Sequence, residues 1–251
     1  MKKIVADYLD LCLKFRKDFL SKLERKQRHA HLMEWAKKQY ADNYLTIPEL
    51  YEFWDRYQNI SYNKVFIEKV IVPSVNMDMR NGGIEGLKFL FYCLRGRDAV
   101  SYRCSDSPVS IFCNAHEYKY SSFQLADMVL EKEPDNEDAL KVKYFIRKEI
   151  LWYSIHEIPL GVLNGLDGAS PTDIPPMLNS VDEFQDISNK LKIDNDEILI
   201  EDCRKFYTAY GEYLKQLNRY DNFEDYLNQH DISYERYCST YYYKDNKQDN
   251  Q

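Results

Sequence analysis

Between Ser121 and Leu166 the residue order dictates a tertiary unit as well as local elements. Two segments with helical patterning flank an acidic turn, Glu131-Lys132-Glu133-Pro134-Asp135-Asn136-Glu137-Asp138, in which Pro134 and Asn136 break the chain. The arrangement predicts two helices packed back on each other. Ser121-Ser122 supplies a cap for the first, which runs to Lys132, and Glu137 and Asp138 place negative charge where the dipole of the second favours it. The second is expected to reach about Glu157. Leu140, Val142, Phe145, Ile146, Ile150, Leu151, Trp152 and Ile155 make it apolar on nearly every side, the pattern of a central, buried helix.

The rest of the chain repeats this helical logic. Ile4, Tyr8, Leu11, Cys12, Phe15, Phe19 and Leu23 recur at three- and four-residue steps, which predicts an amphipathic helix over 4–23. No breaker interrupts residues 24–31, but one helix from 4 to 40 would be about 55 Å long. A bend or break near 24–31 is therefore expected. Thr46-Ile47-Pro48-Glu49 reads as a capping box with proline in the first turn, opening a helix to about Tyr57. Val65, Phe66, Ile67, Val70, Ile71 and Val72 suit a strand by branching and a buried helix by spacing; helix is preferred, ended near Pro73. Gly82-Gly83 and Gly86 bracket another apolar segment, Ile84 to Leu94, which Arg95-Gly96-Arg97 closes.

Residues 98–120, rich in serine with Val109, Ile111 and Cys113 alternating, are expected to be a short hairpin or an ordered loop. Pro171, Pro175 and Pro176, within six residues, mark 161–176 as a stiff linker or functional loop. Ser180-Val181-Asp182-Glu183 is read as a second capping box, and 198–217 and 223–237 as two further helices. The fold expected is all-α: packed helical hairpins, extending to a short irregular α-solenoid, in a single domain over 1–243 with a disordered polar tail at 244–251.

Val129-Leu130, Pro134, Asn136 and Ala139-Leu140 give the turn a resemblance to the junction between consecutive tetratricopeptide repeats, with Ala126, Val129 and Pro134 at the family's two small positions and its proline. The resemblance covers about residues 121–160, and implies a helix pair of the kind that stacks into a peptide-binding groove. The family's Leu-Gly pair falls at Lys143-Tyr144 and is absent, and no 34-residue period recurs.

Charge is distributed unevenly along the chain. Residues 1–40 hold 11 Lys/Arg against 5 Asp/Glu, whereas residues 127–201 hold 17 acidic and 7 basic side chains, within a formal net charge of -7. A basic end and an acidic flank follow, and the acidic flank repels nucleic acid and steers cationic partners. Cys12, Cys93, Cys104, Cys113, Cys203 and Cys238 form no CxxC pair, no apolar run opens the chain as a signal would, and none is long enough for a span. A cytoplasmic protein with reduced thiols is expected, without a membrane partner.

Chemistry-bearing residues are sparse. His116-Glu117 and His156-Glu157 are adjacent acid and base, yet sequence neighbours do not face each other on a helix. His156 is better placed to meet the last carbonyls of its helix. Cys104, Cys113 and His116 lack the close cysteine pair of a zinc site. No hydrolase, metalloprotease or phosphate-loop signature occurs. No catalytic residue, metal or cofactor is assigned. The cations from Lys14 to Arg28, with Lys37-Lys38, are read as the solvated face opposite Phe15, Phe19 and Leu23. The expected function is non-enzymatic binding of a basic protein, such as a cationic nuclease toxin blocked by a bacterial immunity protein, through Glu131, Glu133, Asp135, Glu137, Asp138, Asp173, Tyr210 and Tyr213. The alternatives are an acid-base enzyme using His116 or His156, and a helical regulator contacting nucleic acid through the basic first helix.

Overall fold

The computed structural model describes residues 2–16, 19–41, 43–57, 63–95, 107–194 and 196–234. The fold is all-α: among the described residues 68% are helical, with one two-stranded sheet. The chain divides into two compact units, Met1–Val142 and Lys143–Gln251. The expected tail at 244–251 lies outside the described residues.

The first unit opens with α1 (Lys3–Lys14) and α2 (Lys22–Lys37). The break expected at 24–31 falls earlier. Ser21 accepts the Glu24 N–H and the Glu24 carboxylate takes the Ser21 N–H at 2.9 Å, so a capping box restarts the helix there and α2 continues through 24–31. Phe19 and Leu23 consequently leave the apolar face and stand 91% and 65% exposed. α3 (Ile47–Arg56) carries the expected Thr46–Glu49 box. After it, α4 (Lys64–Phe66), a π-helical segment Ile67–Ile71 and α5 (Val72–Arg80) run on without a gap. Helix holds over 64–72, but Pro73 does not end it. The Val72 N–H reaches back five residues to Ile67, and this wider turn just before Pro73 makes room for a ring that would clash in a regular α-turn.

Around these helices Tyr8, Trp35, Phe53 and Phe66 form the aromatic core, with Tyr8 4.3 Å from Phe66 and 5.0 Å from Trp35 between ring centres. The Trp35 Nε1–H donates to the Ile4 carbonyl at 3.0 Å, which satisfies the one polar atom of the buried indole. α6 (Glu85–Tyr92) packs on α5 where Gly86 brings the two backbones together. A Cβ on Gly86 would lie 3.0 Å from the Val75 Cα. α7 (Pro108–Ala115) replaces the hairpin or loop expected in this part of 98–120, and residues 98–106 lie outside the described set. Ser107 caps it, and Val109, Ile111, Phe112 and Cys113 are all buried, so the apparent alternation was one side of a helical stripe. α8 (Ser122–Leu130) carries a capping box between Ser121 and Gln124 and packs on α6 and α7.

α9 (Glu137–Ile155) starts in the first unit and continues in the second. It is less enclosed than its sequence suggests. Leu140, Val142, Leu151 and Ile155 are buried, but Ile150 and Tyr153 are exposed. At nineteen residues against nine for α8, it does not make the matched helix pair of a repeat. In the second unit a minimal hairpin, β1 (Leu163–Asn164) with β2 (Asp167–Gly168), turns at Gly165 and points Leu166 into solvent. α10 (Ile174–Leu191) then begins inside the stretch expected to be a loop. Pro175 and Pro176 sit in its first turn, where the missing N–H groups have no helical partner to lose. Ser180 is therefore interior to α10 rather than a cap, and its hydroxyl donates back to the Pro176 carbonyl at 3.0 Å. α11 (Glu197–Leu214), a 3₁₀ turn Leu217–Arg219 and α12 (Phe223–Gln229) complete the unit. α12 stops at Gln229, short of the expected Tyr237, which lies outside the described residues.

Candidate binding surfaces

The acidic turn of the first unit is largely tied down. Lys88 of α6 donates to Glu133 at 2.8 Å and to Glu85 at 2.8 Å, and Asn136 donates to the second oxygen of Glu133 at 2.9 Å. The Lys88 bond holds the Glu133 carboxyl below the usual range, and raises the Lys88 ammonium in turn. Arg95 grips Asp138 with both Nε and a terminal nitrogen at 2.8–3.0 Å. Lys141 donates to Glu137 at 2.5 Å. Glu133, Glu137 and Asp138 thus fasten the turn or its helix, and Glu131 is exposed.

Asp173, in the second unit, is engaged locally. It accepts from the Ser170 N–H at 2.8 Å and hydroxyl at 2.6 Å, and these bonds lower its carboxyl. Tyr210 and Tyr213 meet at 5.8 Å between centres and pack on Phe223 at 4.9 and 5.4 Å. Both are half-buried, and burial raises the Tyr210 hydroxyl. They belong to the edge of an aromatic core that extends through Tyr226 to His230.

The histidines named as acid-base candidates are engaged with their own helices. His116 Nδ1 donates to the Phe112 carbonyl at 2.9 Å and its ring lies 4.3 Å from that of Phe112. His156 Nδ1 donates to the Tyr153 carbonyl at 2.5 Å, as its position at the helix end implied, and Nε2 is 3.7 Å from Glu157. Burial raises the Cys113 thiol. Among the described residues no group of three His, Cys, Asp or Glu is placed to hold a metal, and Cys104 lies outside them. A cleft of about 480 Å³ opens in the first unit beside Lys2, Lys3, Asp7, Lys38 and Tyr40, where Asp7 already accepts from Tyr40 at 2.9 Å and Lys38 at 3.3 Å.

Two features were missed from the sequence. In the second unit the buried Asp196 accepts from Tyr144 at 2.6 Å, pairs with Lys148 at 2.9 Å and meets Ser188 at 3.3 Å, while Glu183 binds Lys143 at 2.5 Å and also Arg147. Cations at 143, 147 and 148 on one helix were the available signal. The other is the outer face of α11, where Ile198 is 57% exposed between Glu197 and Glu201, both exposed. The buried stripe of α11 runs through Leu199, Ile200, Cys203, Phe206 and Tyr207, and Ile198 falls off it by helical spacing. Net charge divides accordingly: 22 Lys/Arg against 21 Asp/Glu in the first unit, and 12 against 20 in the second.

Comparison with known proteins finds no match, whether to a protein-family model, to a curated protein or to a solved structure. No helix among the described residues is long and apolar enough to cross a membrane.

Proposed function

We propose that this is a non-enzymatic binding protein whose second unit docks a basic protein partner. The observation that carries the reading is Ile198, an apolar side chain left in solvent on α11 and flanked by Glu197 and Glu201. An apolar anchor inside a charged rim is how interfaces divide their work: the anchor supplies desolvated contact and the rim supplies steering and partner choice. The second unit adds a formal charge of -8, from 12 basic and 20 acidic residues, to attract a cation-rich surface over distance. Relative to the residues expected from sequence, the docking face moves from the 131–138 turn, whose acids mostly hold internal cations, to α11. The finer reading, stoichiometric neutralisation of a cationic toxin such as a nuclease, rests on charge alone.

Affinity capture on the immobilised full chain, compared with Glu197→Lys/Glu201→Lys and Ile198→Arg, tests the reading. Wild type is expected to retain a basic protein at about one per chain, and each variant and 0.5 M salt to release it (on the order of the Debye screening that removes surface attraction). Retention of no basic protein, or equal retention by all three, refutes it.

A further inference from the structure

We propose that the tip formed by the end of α1 and the start of α2 docks on an anionic lipid surface, with Leu13, Phe19 and Leu23 entering the headgroup region and Lys22, Arg25 and Lys26 lying at the level of the phosphates. This goes beyond the protein-binding reading and uses the other unit.

Three observations point to the same place. Leu13, Phe19 and Leu23 are 57%, 91% and 65% exposed on either side of one helix connection, whereas Phe15 and Leu20 between them are half-buried. Near its C-terminal end α1 meets α2 at His31, which accepts from Lys14 at 3.1 Å and lies 5.7 Å from the Phe15 ring. The opening turns of α2 therefore extend past the end of α1, and residues 21–30 are exposed apart from a half-covered Glu24. The cations there hold no carboxylate among the described residues. Elsewhere Lys88, Arg95, Lys143, Arg147 and Arg204 each hold one.

Exposed apolar side chains ringed by unpaired cations are the complement of an anionic bilayer interface, where the acyl boundary takes the first and the headgroups take the second. A nucleic acid would use the cations but leaves Leu13 and Leu23 without a purpose, because aliphatic chains do not stack on bases. Among the described residues of this turn the Glu24 carboxylate accepts the Ser21 N–H at 2.9 Å, and the sequence from Lys14 to Arg28 sets seven Lys/Arg against Asp18 and Glu24, so the tip keeps a positive excess.

Flotation of the full chain with phosphatidylcholine vesicles, with and without 30% phosphatidylserine, tests the proposal. The chain is expected to float with the anionic vesicles only. Arg25→Gln/Lys26→Gln is expected to weaken this roughly 30-fold, from about one polybasic contribution per residue, and Phe19→Ala/Leu23→Ala at least about tenfold. All four side chains are exposed, so circular dichroism should remain that of the wild type. In a Phe19→Trp variant, brominated anionic lipid should quench the added emission. Equal flotation with neutral vesicles, or undiminished flotation of both double variants, overturns the proposal. So does no flotation, including the case in which the tip instead binds labelled RNA or DNA, or an acidic protein.

Discussion

Replacing Asp196 by alanine should damage the second unit more than any other single change to a polar side chain on α10 or α11. Asp196 is 2% exposed and takes the Tyr144 hydroxyl at 2.6 Å, the Lys148 ammonium at 2.9 Å and the Ser188 hydroxyl at 3.3 Å. Without the carboxylate, the buried Tyr144 phenol loses the acceptor it has at 2.6 Å, which costs roughly 1–3 kcal/mol. Lys148 is about one-third exposed and reaches water, so the full 3–5 kcal/mol of a broken buried pair is not expected. The sum is about 3 kcal/mol. Urea unfolding followed by circular dichroism and tryptophan emission measures it. With a slope of about 2 kcal/mol per molar, the midpoint of the second unit should fall by about 1.5 M. Tyr144→Phe removes the stranded donor, so the double variant should cost at least about 1 kcal/mol less than the sum of the singles. A loss below about 1 kcal/mol for Asp196→Ala, or strict additivity with Tyr144→Phe, refutes the assignment of this contact as a main tie between α9 and the start of α11.

Other expectations follow from single contacts. Gly86→Val places a Cβ 3.0 Å from the Val75 Cα, a backbone atom that cannot turn aside, and should lower stability by about 1–3 kcal/mol in a thermal melt; an unchanged melt would show that α5 and α6 can part freely. Ser21→Ala removes the acceptor for the Glu24 N–H and should reduce stability by about 1 kcal/mol with some loss of helical signal from α2. Burial works to raise the Glu183 carboxyl, but the Lys143 bond and the charges of Arg147 and Lys143 outweigh it, so its folded pKa lies below 4.5. A depressed carboxylate contributes stability that is present above its unfolded pKa and lost as pH falls through the folded one. Melting of the wild type should therefore decline more steeply below about pH 4.5 than melting of Glu183→Gln, and parallel pH profiles would contradict this.

Local signals were legible in the sequence where one residue pair sufficed. Thr46 and Glu49 named a helix start that the structure keeps, and Ser121 named another. Ser21 and Glu24 carry the same pattern, but the period through Ile4, Phe15, Phe19 and Leu23 concealed it, because apolar spacing can continue by chance across a break. Prolines misled where their position within a helix mattered more than their presence. Pro175 and Pro176 open α10, and Pro73 is carried past a π-helical segment. Serines misled in the same way at 107–115, where Ser107 is a cap and not the mark of a loop. The pairs that fix tertiary structure were out of reach. Lys88 and Glu133 lie 45 positions apart and Lys143 and Glu183 lie 40 apart, and nothing local selects one partner over another.

The same distinction decides which charges are available for binding. A count along the chain treats Glu133 and Glu201 alike, although one is held by lysine and asparagine and the other is exposed. Charge that has found an internal partner contributes little to a surface, because a new cation must first displace the old one. Exposure and pairing are therefore the grounds on which the proposed acidic docking face lies at Glu197 and Glu201 rather than on the 131–138 turn, and the proposed basic one at Lys22, Arg25 and Lys26. Both proposed contacts should weaken with salt, so salt alone cannot tell them apart. Side chains can: Phe19→Ala/Leu23→Ala should weaken vesicle binding at least about tenfold and leave protein capture intact, and Ile198→Arg should release the protein partner and leave vesicle binding intact. If either variant abolished both activities, a single shared surface would replace the two argued from exposure and pairing.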